Sequence, residues 1–325
     1  VTVETFLEEA GWAGAARAPL AGDASTRRYT RLQRGSERAI LMEDPDGAPE
    51  HFARLARYLL GLGLSAPEPF AEAPGLLLLE DLGDGVFAKL ARERPEQEDT
   101  LYLAAVEALV TLHAADPPDV PPADPRYFTD QASDALKWYL RGLGAETSKT
   151  DPVIAELGEA LAKHAPQTDV TILRDFHAEN LIWLPDRQGP ARAGLLDFQD
   201  ALQGNRAYDM VSLIEDARRD VSETTRQAVV RFYLDATGVT AAEFETAMAV
   251  QGAARNLRIL GIFARLAAIR GKPGYIDLVP RVWGHLSHDL THPALADLAE
   301  VIEIVLPRPT EAHLQSLRSQ CQTPS

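Results

Sequence analysis

The sequence predicts an α+β chain in two lobes, a small N-terminal lobe built on an antiparallel sheet and a larger helical C-terminal lobe. Three observations predict it. β-prone runs around a Gly-containing turn occupy the first 80 residues. Helical periodicity takes over after a Gly-rich connection. Residues 170–198 then interrupt the helices with three short β segments. The N-terminal lobe is placed at 1–80, the linker at 81–85, and the C-terminal lobe at 86–325.

A short helix opens the chain, and strands follow. YTRLQR (29–34) and RAILME (38–43), separated by a Gly-containing turn, read as a hairpin. In residues 49–63, Phe52, Leu55, Leu59 and Leu62 fall at helical spacing, and Gly61 and Gly63 mark the helix end. GLLLLEDLGDG (75–85) reads as a buried strand running into the linker. Helices are expected at 98–115, at about 129–142 and 152–164, and almost throughout from Tyr208 onward. LIWL (181–184) and AGLL (193–196) read as the strands of a second hairpin.

Composition narrows the class. The chain has 325 residues, 46% of them hydrophobic and 25% charged, as in an ordinary soluble globular protein. A net charge of −16 argues against nucleic acid or an anionic membrane as partner, since both recruit basic surface. One cysteine, Cys321, makes no internal disulfide and no thiolate metal cage. No apolar run approaches the ~18 residues of a membrane helix. The acidic, amphipathic start VTVETFLEEAGW is unlike a secretory signal, so a cytoplasmic protein is expected.

The chemistry concentrates in LRDFHAENLIW (173–183) and the hairpin behind it. If 181–184 and 193–196 pair, Asn180 and Asp197 arrive at the same hairpin end, and Asp175 lies one short loop upstream. A carboxylate beside an amide oxygen is a hard-oxygen pair suited to Mg²⁺, which takes its remaining ligands from phosphates and water. A separate carboxylate can orient a hydroxyl and accept its proton. Phosphoryl transfer asks for little more, because its catalysis is mostly positioning and charge neutralisation. The bland alternative is a polar hairpin end with capped backbone groups. A rival metal cluster of Asp175, His177 and Glu179 needs a strand where the sequence reads as loop.

RDFHAEN, followed by LLDFQDALQGNRAYDMVSL, resembles the aminoglycoside phosphotransferase and choline kinase family, relatives of the protein kinases. The resemblance implies a protein-kinase-like fold, ATP and Mg²⁺ as cofactors, and a small-molecule acceptor. It makes Asp175 the catalytic aspartate and Asn180 and Asp197 the metal ligands. Gly204 and Asp209 match the family's later Gly and Asp, while Asn205 stands where an Asp is usual. GDASTRRYTRL (22–32), LLLLEDLGD (76–84), 196–221 and 261–275 resemble one branch. That branch is the anomeric sugar kinases of bacterial cell-wall recycling, which act on the C1 hydroxyl of N-acetylmuramate and N-acetylglucosamine.

Two departures matter. Leu173 replaces the motif histidine, which predicts altered packing rather than lost chemistry. The strand lysine that contacts nucleotide phosphates is missing. Met42 stands at or near its place, and the first lysine of the chain is Lys89. The loop GDASTRRY is the expected substitute: backbone N–H groups and the Ser25 and Thr26 hydroxyls for phosphate oxygens, and Arg27 or Arg28 for the positive charge. Only one of these adjacent arginines can face the phosphates from a strand. By family analogy, Glu80 and Leu82 present backbone groups to adenine. For the acceptor, Asp200 is a candidate for sugar hydroxyls. Arg258 and Arg265, seven apart on one helix face, are candidates for an anionic or N-acetyl group. Competing readings are an aminoglycoside, choline or other small-alcohol kinase, a non-catalytic kinase-like binding module, and, weakest, a protein kinase.

Overall fold

The computed structural model describes residues 2–20, 27–44 and 47–320. Its first elements are α1 (Val3–Glu9), β1 (Ala16–Leu20), β2 (Arg28–Arg34), β3 (Glu37–Glu43), α2 (Pro49–Gly61), β4 (Pro69–Ala73) and β5 (Leu76–Glu80). There follow α3 (Phe87–Glu93), α4 (Glu98–His113), α5 (Pro125–Gly142), α6 (Thr150–His164) and β6 (Val170–Ile172). β7 (Leu181–Trp183), β8 (Ala193–Leu195) and β9 (Leu202–Gly204) precede a helical remainder. That remainder is α7 (Ala207–Ile214), α8 (Glu223–Thr237), α9 (Ala241–Arg270), α10 (Val279–Asp289), α11 (Ala296–Val305) and α12 (Glu311–Ser319). The chain forms two compact units, Val1–Pro118 with Ala178–Ala201, and Asp119–His177 with Leu202–Ser325.

The first unit is built on a five-stranded antiparallel sheet in the order β1-β2-β3-β5-β4. The β2–β3 hairpin closes at Arg34↔Glu37, and Gly35 supplies the positive φ of 61° that a two-residue turn requires. Side chains alternate faces along each strand. Leu32, Ala39, Leu41, Leu76 and Leu78 take one face and bury Phe6 and Leu7 of α1 together with Trp12. Tyr29, Arg31, Ile40 and Leu79 take the other face and line a cavity. The β7–β8 hairpin belongs to this unit in the register Leu181↔Leu195, and Trp183 N–H donates to the Gly85 carbonyl at 2.7 Å. That bond ties the hairpin to the segment following β5.

The second unit is helical around α9, whose 30 residues pack against α5, α6, α7 and α10. The two-stranded ladder β6–β9 sets the entry to the Leu173–His177 loop. α5 and α9 cross closely at Gly261, where a Cβ would fall 1.8 Å from the Ala135 carbonyl oxygen. Gly261→Ala is therefore expected to cost about 3 kcal/mol, the upper range of overpacking. Gly284→Ala on α10 meets open space and is expected to gain up to about 1 kcal/mol. Urea unfolding of the two variants measures both, and equal stabilities would refute the close crossing. Among the described residues, no helix is long and apolar enough to cross a membrane.

Candidate active site

The β7–β8 hairpin delivers Asn180 and Asp197 to one wall of the first unit's cavity. Leu196 N–H donates to the Asn180 carbonyl at 3.0 Å, holding the two ends together. Asn180 Nδ2 lies 3.4 Å from Asp197 Oδ2, and Gln199 Nε2 donates to Asp197 Oδ1 at 2.8 Å. Asp197 has a φ of 57°, a left-handed conformation unfavourable for a non-glycine residue and typical of functional turns. Its neighbours hold it there. Phe198 packs on Phe52 of α2 at 4.6 Å between ring centroids, and His51 Nε2 pairs with the Gln199 carbonyl at 3.0 Å. Arg54 Nη2 donates to His51 Nδ1 at 3.0 Å, which makes Nε2 the protonated nitrogen. The Gln199 amide oxygen is buried without a hydrogen-bond partner among the described residues.

The cavity holds about 600 Å³. Ile40, Leu79, Leu82 and Ile182 give it an apolar slot; Arg27, Tyr29, Arg31, Asn180, Asp197 and Asp200 give it a polar end and rim. The polar oxygens suit a hard cation. Asn180 and Asp197 would hold Mg²⁺ through one amide and one carboxylate oxygen, with phosphates and water completing the shell. Among the described residues no three His, Cys, Asp or Glu side chains gather into a group that could hold a metal ion.

The other first-unit candidates separate by position. Arg27 lines the cavity, with Nε 2.9 Å from Asp44 Oδ2. Arg28, 71% exposed, lies 3.4 Å from Glu43 and lines none of it. Met42 is fully buried on the strand face shared with Ile40 and does not line the cavity. Glu80 and Leu82 line it; the Glu80 carboxylate is bound by Arg187, and its N–H donates to the Glu68 carbonyl at 2.9 Å. Asp200 is exposed at the rim. Ser25 and Thr26 lie outside the described residues.

The loop bearing Asp175 belongs to the second unit. Asp209, on α7 and fully buried, accepts from the N–H groups of Leu173 at 2.6 Å and Arg174 at 2.9 Å. Arg174 has a φ of 71°, and its carbonyl accepts from Ser212 Oγ at 3.1 Å. Burial pushes the Asp209 carboxyl up to about 7, against the two backbone donors that favour its anion; the Asp175 charge raises it further. Leu173 is 3% exposed and fills the core. Burial, with Arg218 and Arg255 nearby, pushes His177 down to about 3. It is therefore a neutral imidazole, with Nε2 3.4 Å from Arg218 Nη1. On α9, Arg258 is half-buried and Arg265 exposed. The buried arginine of that helix is Arg255, whose Nη1 lies 3.3 Å from the Glu215 carbonyl.

Sequence reasoning missed Tyr29, Arg31, Asp44 and Gln199. A signal existed for two of them: residues 27, 29 and 31 share one face at the strand period of two. Asp44 and Gln199 carried none.

A five-stranded antiparallel sheet followed by a mostly helical remainder, together with a D-x4-N loop and hairpin, defines a protein-kinase-like phosphotransferase fold. The chain belongs to the phosphotransferase enzyme family, which it matches over residues 17–244. It is 38% identical to an N-acetylmuramate/N-acetylglucosamine kinase of Caulobacter vibrioides over 90% of this chain and 93% of that protein. It is 32% identical to the Pseudomonas aeruginosa protein of the same name, over 95% of this chain and 94% of that one. Among solved structures, a choline/ethanolamine kinase family protein from Mesorhizobium loti superposes with a TM-score of 0.61 at 16% identity, covering 95% of this chain and 94% of that one.

Proposed function

We propose that this phosphotransferase is an ATP- and Mg²⁺-dependent sugar 1-kinase acting on N-acetylmuramate and N-acetylglucosamine in the cytoplasm. The observation that carries the reading is 38% identity, across nine-tenths of the chain, to a kinase named for those two sugars. The first unit's cavity supports the nucleotide half. Its slot of Ile40, Leu79, Leu82 and Ile182 suits a flat base, and among the described residues none accepts a hydrogen bond from Leu82 N–H. Residues 81–85 are the hinge in this reading; Asp81 Oδ1 accepts from Gly83 N–H at 2.9 Å and shapes its turn.

Asn180 and Asp197 would hold the metal, which would neutralise phosphate charge. Asp175 orients the C1 hydroxyl and takes its proton. The C1 oxygen forms a bond to the γ-phosphorus, the bond from that phosphorus to the β,γ-bridging oxygen breaks, and ADP leaves with the electron pair. Asp200, Arg258 and Arg265 remain the acceptor-binding candidates.

The test is ADP release by the purified protein with Mg·ATP and, separately, N-acetylmuramate, N-acetylglucosamine, kanamycin or choline. Turnover confined to the N-acetyl sugars, with product phosphorus at C1, is expected. Turnover with kanamycin or choline alone would replace the acceptor assignment, and none with any acceptor would remove it.

A further inference from the structure

A triphosphate needs cations, and the first unit's cavity has few to give. The chain contains no lysine before Lys89, which is exposed on α3. Among the described residues, the cations lining the cavity are Arg27 and Arg31. Arg31 is already committed. Its Nε lies 2.8 Å from Asp81 Oδ2 and its Nη2 3.0 Å from Asp81 Oδ1, while Nη1 donates to Asp84 Oδ1 at 2.9 Å. Arg38 meets the same two carboxylates, with Nε 3.6 Å from Asp81 and Nη1 3.9 Å from Asp84, so two arginines and two aspartates cancel in that corner and it offers no net positive charge to phosphate.

Arg27 differs in geometry and charge. One carboxylate meets it, through Nε, at 2.9 Å, and that carboxylate is Asp44, only 5% exposed; the Tyr29 hydroxyl is a further side-chain partner and brings no full charge of its own. Asp44 is itself fixed. Its N–H donates to the Gly75 carbonyl at 2.8 Å, and its carbonyl accepts from Gly47 N–H at 3.2 Å. Its carboxylate lies so close to Gly47 that a Cβ there would fall 2.1 Å from Oδ2. Gly47 thus closes one side of the buried Asp44 carboxylate, and the two backbone bonds fix the strand end that carries it. A guanidinium held at Nε by a fixed carboxylate keeps its plane, and its Nη fork is the part that pairs with phosphate oxygens.

We propose that Asp44 is the positioning residue for Arg27, and that this pair, rather than a lysine, presents positive charge to the triphosphate of the bound nucleotide. The proposal rests on the phosphotransferase reading above but not on the identity of the acceptor.

The experiment is calorimetric titration of the full-length protein and its Arg27→Ala, Asp44→Asn and double variants with Mg·ATP and, separately, adenosine. A charge-assisted hydrogen bond contributes about 1.5–3 kcal/mol, so each single variant is expected to weaken ATP binding roughly ten- to hundredfold. Adenosine affinity is expected to stay unchanged. Because Asp44 acts through Arg27, the double variant is expected to bind ATP no more weakly than Arg27→Ala alone. Wild-type ATP affinity in Asp44→Asn, additive losses in the double variant, or equal losses for ATP and adenosine would each overturn the proposal. If circular dichroism shows Asp44→Asn unfolded, Asp44→Glu takes its place. That variant keeps the charge but shifts the carboxylate by one methylene, and unchanged ATP affinity in it would again refute the positioning role. A wild type that binds Mg·ATP but phosphorylates none of the acceptors would sink the sugar-kinase reading while leaving this test intact.

Discussion

Asp175→Asn is expected to lower turnover about a thousandfold, the middle of the range for a general acid–base group, while the Kd for Mg·ATP moves less than about twofold. The physical basis is the separation of tasks. The apolar slot, Arg27, Asn180 and Asp197 line the cavity of the first unit, and Asp175 does not. The Asp175 loop has its own supports: two backbone donors on Asp209, the Ser212 hydroxyl on the Arg174 carbonyl, and Asp175 N–H donating to the Leu173 carbonyl at 2.9 Å. These supports run through the backbone and through Asp209 and Ser212, and asparagine matches aspartate in size, so the variant is expected to keep the loop and to lose the base. Single-turnover kinetics with N-acetylglucosamine, beside calorimetric ATP binding, measures the two quantities separately. Losing affinity and turnover by the same factor would show that Asp175 is a binding group, and the catalytic assignment would fall.

Much of the fold was legible because its elements obey local rules. The β2–β3 hairpin, the helix at 49–61 and the β7–β8 hairpin lie where alternation, helical spacing and turn residues put them. α5 begins at Pro125 rather than near 129. The Asp124 side chain caps Tyr127 N–H at 2.8 Å and Pro125 takes the first helical position, so the start signal lay inside a stretch read as proline-rich loop. β9 is three residues long and exists through pairing with β6, too short for any period to reveal.

At the site, the pairing of Asn180 with Asp197 followed from the hairpin register, which is local. The anchoring of Leu173 and Arg174 by Asp209 spans 36 and 35 residues, and the grip of Asp81 and Asp84 on Arg31 spans 50 and 53. No periodicity encodes such contacts. On α9, the spacing of seven puts Arg258 and Arg265 on one helix face and makes them candidates only, since a snorkelling or capping role predicts the same spacing. The helix is buried on several sides, and the arginine it buries is Arg255.

Asp209→Asn carries the second large effect, on activity and on the pH dependence of stability. The two loop N–H groups bond to different oxygens of one carboxylate, Leu173 to Oδ2 and Arg174 to Oδ1. An asparagine amide offers one acceptor oxygen, so one buried N–H loses its partner, at about 1–3 kcal/mol. If that loss falls on loop order, turnover drops roughly ten- to hundredfold. The sign of the pH effect follows from the raised carboxyl, about 7 in the folded protein against 3.8 as the ordinary value. Between those values the native state binds the extra proton, so unfolding free energy falls as pH rises through the window and levels off above it. The fall attributable to Asp209 is at most about 1.4 kcal/mol per pH unit, and about 4 kcal/mol in all. His177, pushed down to about 3, acts in the opposite sense below its ordinary 6.5. It contributes alike to wild type and variant. The difference between the two urea-unfolding curves, measured from pH 5 to pH 8, therefore isolates the aspartate. Asp209→Asn is expected to gain on the wild type steadily up to about pH 7. Parallel curves across that range would mean that Asp209 is ionised throughout and that its two backbone donors outweigh its burial.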